Sequence, residues 1–320
     1  MSIRGSPAGG TASDMETQIT GNAGQLRPIN DERRAPNREW CDLANRKFLI
    51  VHADDLGLAH SVNAAATKAF ELGAATSGSV MVPCPWFPEV AAYGRCHAGI
   101  DLGVHLTLTS ERSNYRWGPV ASKDRVPSLL DESGYFHKSP ADAIEKLDPD
   151  QAETEMRAQI ERAFAFGIRP THLDSHQFVH YSSPALFALL SRLGREYGIP
   201  VFLSRSLLVR FPHISTSGAT APALERVISI GSDIHPLQWE SYYLTTVGSV
   251  PVGINQLIVH PAYDDSEMRA ATSDRPTWGA AWRQRDFDFI TGNPFQKLLQ
   301  SNAIQLTSWG QIARCLPRHS

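Results

Sequence analysis

The chain has 320 residues, is 42% hydrophobic and carries a formal charge of -3, so it can bury a large core in one α/β domain or two small ones. That charge, with no basic run, excludes a polyanion-binding surface and with it nucleic acid as a partner. Cys41, Cys84, Cys96 and Cys315 form no CxxC pair and no stretch is long and apolar enough to span a bilayer, so neither a disulfide framework, a cysteine zinc site nor a membrane partner is expected.

Residues 1–40 lack an apolar core and are rich in Gly, Ser, Thr, Pro and Asn. They read as a disordered N-terminal extension without a signal peptide, ahead of a single domain over 41–320. The expected location is cytoplasmic. The first patterned stretch, Lys47 to Asn63, opens with Phe48-Leu49-Ile50-Val51, a strand buried on both faces as in parallel sheets. It ends at His52-Ala53-Asp54-Asp55, and Val62, Ala66, Ala69 and Phe70 then follow at helical spacing until Gly73. Adjacent carboxylates at the C-terminal end of a buried strand lie where α/β folds place their active sites. Two like charges raise each other's cost there, and a metal or a shared proton relieves it. The plainer alternative is that they open a turn and cap the helix.

Thr76 to Val82 reads as a second strand, and a proline-punctuated loop leads to a short helix through Ala91 and Ala92. Asp101 to Thr109 alternates, with Leu102, Val104, Leu106 and Leu108 on one face and Gly103, His105 and Thr107 on the other. Residues 110–147 have little periodicity and read as a long inserted loop, functional or disordered. Asp148-Pro149 and Ser183-Pro184 each start a helix; between them Pro170 to His176 is a short strand with polar groups crowded at its end. Residues 201–203 read as a strand, 222–229 as a helix, Ile254 to His260 as a strand, 280–290 and 294–301 as helices, and Ile304 to Thr307 as the last strand. This alternation favours a parallel sheet, closed as a barrel or open. No GxGxxG or Walker loop supports a nucleotide cofactor.

Asp54-Asp55, His105, His172 with Asp174 and His176, and His260 all fall at or near predicted strand ends, which in a barrel face one another across one rim. Histidines and carboxylates together suit one borderline divalent ion, Zn²⁺ or similar. Such an ion lowers the pKa of bound water to roughly 7 and can polarise a substrate oxygen. Asp174 is a candidate to orient an imidazole, and His176 either contacts substrate or carries structural hydrogen bonds. Trp86, Tyr115, Trp117, Trp278 and Trp282 are candidates to present an aromatic face to a ligand at the rim. Arg283 either holds an acidic substituent or pairs with Asp286.

The segments HADDLG, GVHLTLT, THLDSH and VHP, in that order, resemble the signature segments of the YdjC-like carbohydrate deacetylases, the family that includes chitooligosaccharide deacetylases. The resemblance runs from about Lys47 to Trp309. It implies a distorted (β/α) barrel, TIM-barrel-like, of seven to eight mostly parallel strands. The implied activity is hydrolysis of the acetyl group from an N-acetylated amino sugar or oligosaccharide with one divalent metal ion, Mg²⁺ or Zn²⁺. Carried over by motif, Asp55, His105 and His172 are the metal ligands, Asp54 the general base and His260 the general acid. Phe178 stands where family members often carry a further histidine, which bears on substrate preference. A homodimer is the candidate assembly. Three rivals stand beside this reading: a non-haem Fe(II) oxygenase using His172, Asp174 and His260, a catalytically inactive sugar-binding relative, and a glycosidase using Asp54 with a distant acid.

Overall fold

A computed structural model describes residues 45–216 and 222–315; the expected extension over residues 1–40 lies outside the described residues. The Phe48–Val51 run sits inside β1 (Lys47–Leu56), which is buried from Phe48 onward. Burial on both faces follows from its place in the sheet. β1 pairs with β2 (Ser77–Val80) and, on the other side, with β6 (Gly253–Val259). β3 (Leu102–Leu106) and β4 (Leu173–Ser175) continue beyond β2, β5 (Arg226–Ile228) lies outside β6, and β7 (Ile304–Leu306) pairs with the start of β1. Every one of these pairings is parallel.

Single parallel bridges, Leu173 to Val201 and Ser204 to Leu224, link the two outer strands, so the sheet curls into a distorted barrel. The backbone N–H of Phe202 donates to Leu173 O and that of Leu224 to Leu203 O, both at 2.8 Å. The strand expected at 201–203 is thus reduced to bridges. The helix expected at 222–229 is instead β5, drawn into the sheet by β6: Glu225 N–H donates to Ile254 O at 2.8 Å, and the β-branched Val227 and Ile228 suit that role.

The helix starts follow their caps. Asp148 accepts from the N–H groups of Asp150 and Gln151 ahead of the Pro149–Ala165 helix, and Ser183 accepts from Leu186 N–H ahead of Pro184–Tyr197. Residues 110–147 are packed rather than loose. Trp117, Val126, Leu129 and Phe136 are buried, and the Pro140–Lys146 helix closes the segment. Glu155 ties it to the barrel, accepting from Val120 N–H at 2.9 Å and Ala121 N–H at 2.8 Å.

Candidate metal centre and active site

β1 ends in a kink. Its register against β2 slips between Ala53 and Leu56, and Asp55 takes a left-handed φ of 67°, a conformation aspartate tolerates better than most residues. The slip turns Asp54 and Asp55 to different places at the rim of one pocket, about 310 Å³ in volume, which His105, Glu111, Arg112, His176, Phe178, His260, Trp278 and Arg283 also line. Of the four other left-handed non-glycine residues described, Gln177, Phe178 and Trp278 line this pocket and Ala303 does not. Backbone held in such sparsely populated regions collects at functional sites.

Asp55 Oδ2 receives a 2.6 Å hydrogen bond from the Arg283 guanidinium, whereas the buried Oδ1 has no hydrogen-bond partner. That orphaned oxygen is approached by His176 Nδ1 at 3.2 Å and His105 Nε2 at 3.5 Å. The far nitrogen of each ring is already engaged: His105 Nδ1 lies 2.8 Å from Asp174 Oδ1 and 2.9 Å from Ser79 Oγ, and His176 Nε2 lies 3.0 Å from Glu111 Oε2. A carboxylate holding one ring N–H fixes the tautomer and turns the other lone pair toward the shared point, the usual arrangement behind metal-binding imidazoles. Three donors within 4.8 Å of one another, two of the separations being 3.2 and 3.5 Å, suit an ion with bonds of about 2.0–2.2 Å. The residues present therefore fit one divalent ion held by Asp55, His105 and His176.

The electrostatics agree. Burial favours the neutral rings, but Glu111 and Asp55 overcome it and lift His176 to about 10, while Asp174 and Asp54 raise His105. Burial likewise opposes the carboxylate charges, yet Arg283 and His176 hold Asp55 well below its usual range, and His176 and Arg112 bring Glu111 to about 2. The cluster is one that attracts positive charge.

His172 is not part of it. The ring is fully buried below the pocket, with Nε2 2.8 Å from His52 Nε2 and one face on Trp309. It groups with His52 and Asp174, whereas His176 groups with Asp55 and His105. The ligand set expected by motif names His172, whereas among the described residues it is His176 that stands with Asp55 and His105. The oxygenase triad is not assembled either, since among the described residues no cluster joins His172 and Asp174 to His260.

Asp54 and His260 face each other in the pocket, with 3.8 Å between Asp54 Oδ2 and His260 Nε2. Asp54 Oδ1 is occupied by His52 Nδ1 at 2.7 Å, leaving Oδ2 directed at the cavity. The backbone N–H of His260 donates to Asp286 Oδ2 at 2.8 Å, and Asp286 also accepts from Trp239 and Tyr243. Burial and the nearby Arg283 lower the His260 pKa against the pull of Asp55 and Asp54. Arg283 pairs with Asp55, not Asp286. Neither Trp86 nor Trp117 lines this pocket: Trp86 lies against His60, and Trp117 is buried with its indole N–H on Thr109 O and its ring 6.1 Å from that of His176, which it backs. Glu111 and His52 had no role in the sequence reading. Glu111 opens an aperiodic stretch and His52 reads as the tail of an apolar strand, so neither carried a signal.

Residues 48–301 match the family model of the YdjC-like protein. A curated carbohydrate deacetylase of Thermus thermophilus is 32% identical over 288 residues, spanning 87% of this chain and 98% of that protein. A chitooligosaccharide deacetylase of Serratia marcescens is 33% identical over 163 residues, 50% of this chain and 60% of that one. The crystal structure of an Enterococcus faecalis protein named for cellobiose-phosphate cleavage is similar at a TM-score of 0.69 and 26% identity, covering 82% of this chain and 98% of the other. With the match spanning most of its length, this chain belongs to the YdjC-like protein family.

Proposed function

We propose that the protein is a metal-dependent carbohydrate deacetylase that hydrolyses an N-acetyl group from an amino sugar or oligosaccharide. The observation that carries this reading is the meeting of the unpartnered Asp55 Oδ1 with His105 and His176, under a second carboxylate and a third histidine in the same pocket. Relatives named carbohydrate deacetylase support the reaction class.

Asp55, His105 and His176 would hold the ion, and two imidazoles with one carboxylate suit zinc or a similar borderline metal. When bound, it would supply Lewis acidity toward the acetyl carbonyl and a more acidic water. Asp54 takes the water proton on Oδ2, the oxygen that His52 leaves free. His260, across the gap from that oxygen, delivers a proton to the departing amine. Its lowered pKa makes it a readier donor once charged. Arg283 neutralises part of the Asp55 charge and keeps that carboxylate from rotating. Phe178, Ile230 and Trp278 give the pocket an apolar wall against which a sugar face can lie.

The test is acetate release from a panel of N-acetylated mono- and oligosaccharides, with chelator and with added Zn²⁺ or Mg²⁺. Metal-restored acetate release is expected. Oxygen uptake with an oxoacid, or binding without turnover at every metal, would overturn the proposal.

A further inference from the structure

Beneath the pocket a column of hydrogen bonds runs through the barrel. His52 Nδ1 lies 2.7 Å from Asp54 Oδ1, and His52 Nε2 lies 2.8 Å from His172 Nε2. His172 Nδ1 lies 3.0 Å from Thr171 Oγ1, which donates to Asp101 Oδ1 at 2.8 Å. Asp101 and Thr171 line a separate groove where β3 and β4 begin, at the opposite end of the strands from the pocket. A carboxylate in the active site is thus joined to one at the far end of the barrel.

The packing leaves the two rings a single arrangement. A Cβ at Gly103 would stand 2.5 Å from the His172 ring, so the bare backbone there is what admits the imidazole. Trp309 stacks on its other side at 5.1 Å between ring centroids. The direction of the bonds is also set. Asp101 accepts from Ser77 Oγ, from Gly310 N–H and from Thr171, so the Thr171 hydroxyl must itself accept from His172 Nδ1–H. His172 stays neutral, held to about 4 by burial and by His52, and its Nε2 accepts from His52. His52 Nδ1 then donates to Asp54 Oδ1, so both nitrogens of that ring are donors, the arrangement of an imidazolium beside a carboxylate.

We propose that His52 is the positioning residue of Asp54: it grips Oδ1 from below and turns Oδ2 to the pocket, while the His172, Thr171 and Asp101 stack fixes His52 in turn. The inference rests on the deacetylase reading of Asp54. The last torsion of an aspartate is broad, so an ungripped Asp54 would swing an oxygen toward the neighbouring donors and compete for the ion. His52 keeps the labour of the two adjacent carboxylates divided, one for the metal and one for the proton.

The experiment compares His52→Ala with His52→Asn in the full chain, reading kcat, KM and bound metal. Asparagine can present an N–H where His52 Nδ1 stands, so it is the conservative variant. His52→Ala is expected to lose on the order of ten- to a hundredfold in kcat, the cost of a misplaced catalytic group, with KM and metal content close to wild type. His52→Asn is expected to recover most of that loss. Thr171→Val, which loosens the stack without touching Asp54, is expected to lower kcat by a smaller factor at unchanged KM. Wild-type kcat in His52→Ala, a loss that falls on KM or metal content, or no recovery in His52→Asn overturns the proposal. Should His52→Ala fail to fold, an unchanged kcat in Thr171→Val does so. A wild-type protein inactive on every acetylated sugar removes the deacetylase reading and this inference with it, whereas an active one indifferent to His52 removes the inference alone.

Discussion

His176 turns Nε2 to Glu111 at 3.0 Å and Nδ1 to Asp55 at 3.2 Å, so one imidazole links a carboxylate of the 110–147 segment to the proposed ion site. Removing Glu111 leaves the ring free to rotate and to change tautomer. Glu111→Gln is expected to weaken metal binding about 10- to 100-fold, the usual cost of losing such a partner. His176→Ala and His105→Ala are expected to lose the ion, whereas His172→Ala is expected to keep it. Isothermal titration with Zn²⁺ checks all four variants, and metal loss in His172→Ala alone would restore the ligand set expected by motif.

Asp54 touches His52 and the cavity, and its Oδ2 stands 3.9 Å from His105 Nε2, farther than the 3.5 Å from that nitrogen to Asp55 Oδ1. Asp54→Asn is therefore expected to bind metal nearly as wild type and to lose about 10²- to 10⁴-fold in kcat, the typical contribution of a general base. Steady-state kinetics beside metal analysis of the same preparation would show it.

Glu155 gives a pH dependence away from the site. Burial lifts its pKa from 4.5 to about 7, against the N–H donors of Val120 and Ala121 and the Gln159 amide. The folded state therefore holds a proton that the unfolded chain has lost. The stability this supplies is complete below pH 4.5 and is lost as the pH rises through about 7. The loss is about 3 kcal/mol in the limit. Urea unfolding at pH 5 and pH 8 should show it, and Glu155→Gln should flatten the difference.

At position 103 the argument is steric. Gly103→Ala forces the new methyl against the His172 ring and is expected to cost about 1–3 kcal/mol, as overpacking in a core does. Gly99→Ala, where a Cβ meets nothing within 4 Å, is the control and should leave the melting temperature near wild type.

What could be read from the residues, and what could not, divides along physical lines. Local signals held: the apolar run of β1, the Asp148-Pro149 and Ser183-Pro184 helix starts, and the alternation that turned His105 inward. Each depends on residues close in sequence. The choice between His172 and His176 does not. Positions 172, 174 and 176 share one face of the chain at successive levels, roughly 13 Å from first to last, and alternation does not say which level meets Asp55 and His105. β5 was missed for a related reason, since what makes those few residues a strand is the edge of β6 beside them. Glu111 gains meaning only from His176, 65 positions away, and His52 is held in place by His172, 120 positions away.

The left-handed backbone at Asp55 has a bearing on how this pocket can change over generations. Because the direction of that carboxylate is written into the main chain, exchanging it for glutamate preserves charge and forfeits address. Drift toward new sugars is then channelled to wall residues such as Ile230 and Ile258, whose side chains can vary without re-bending the polypeptide.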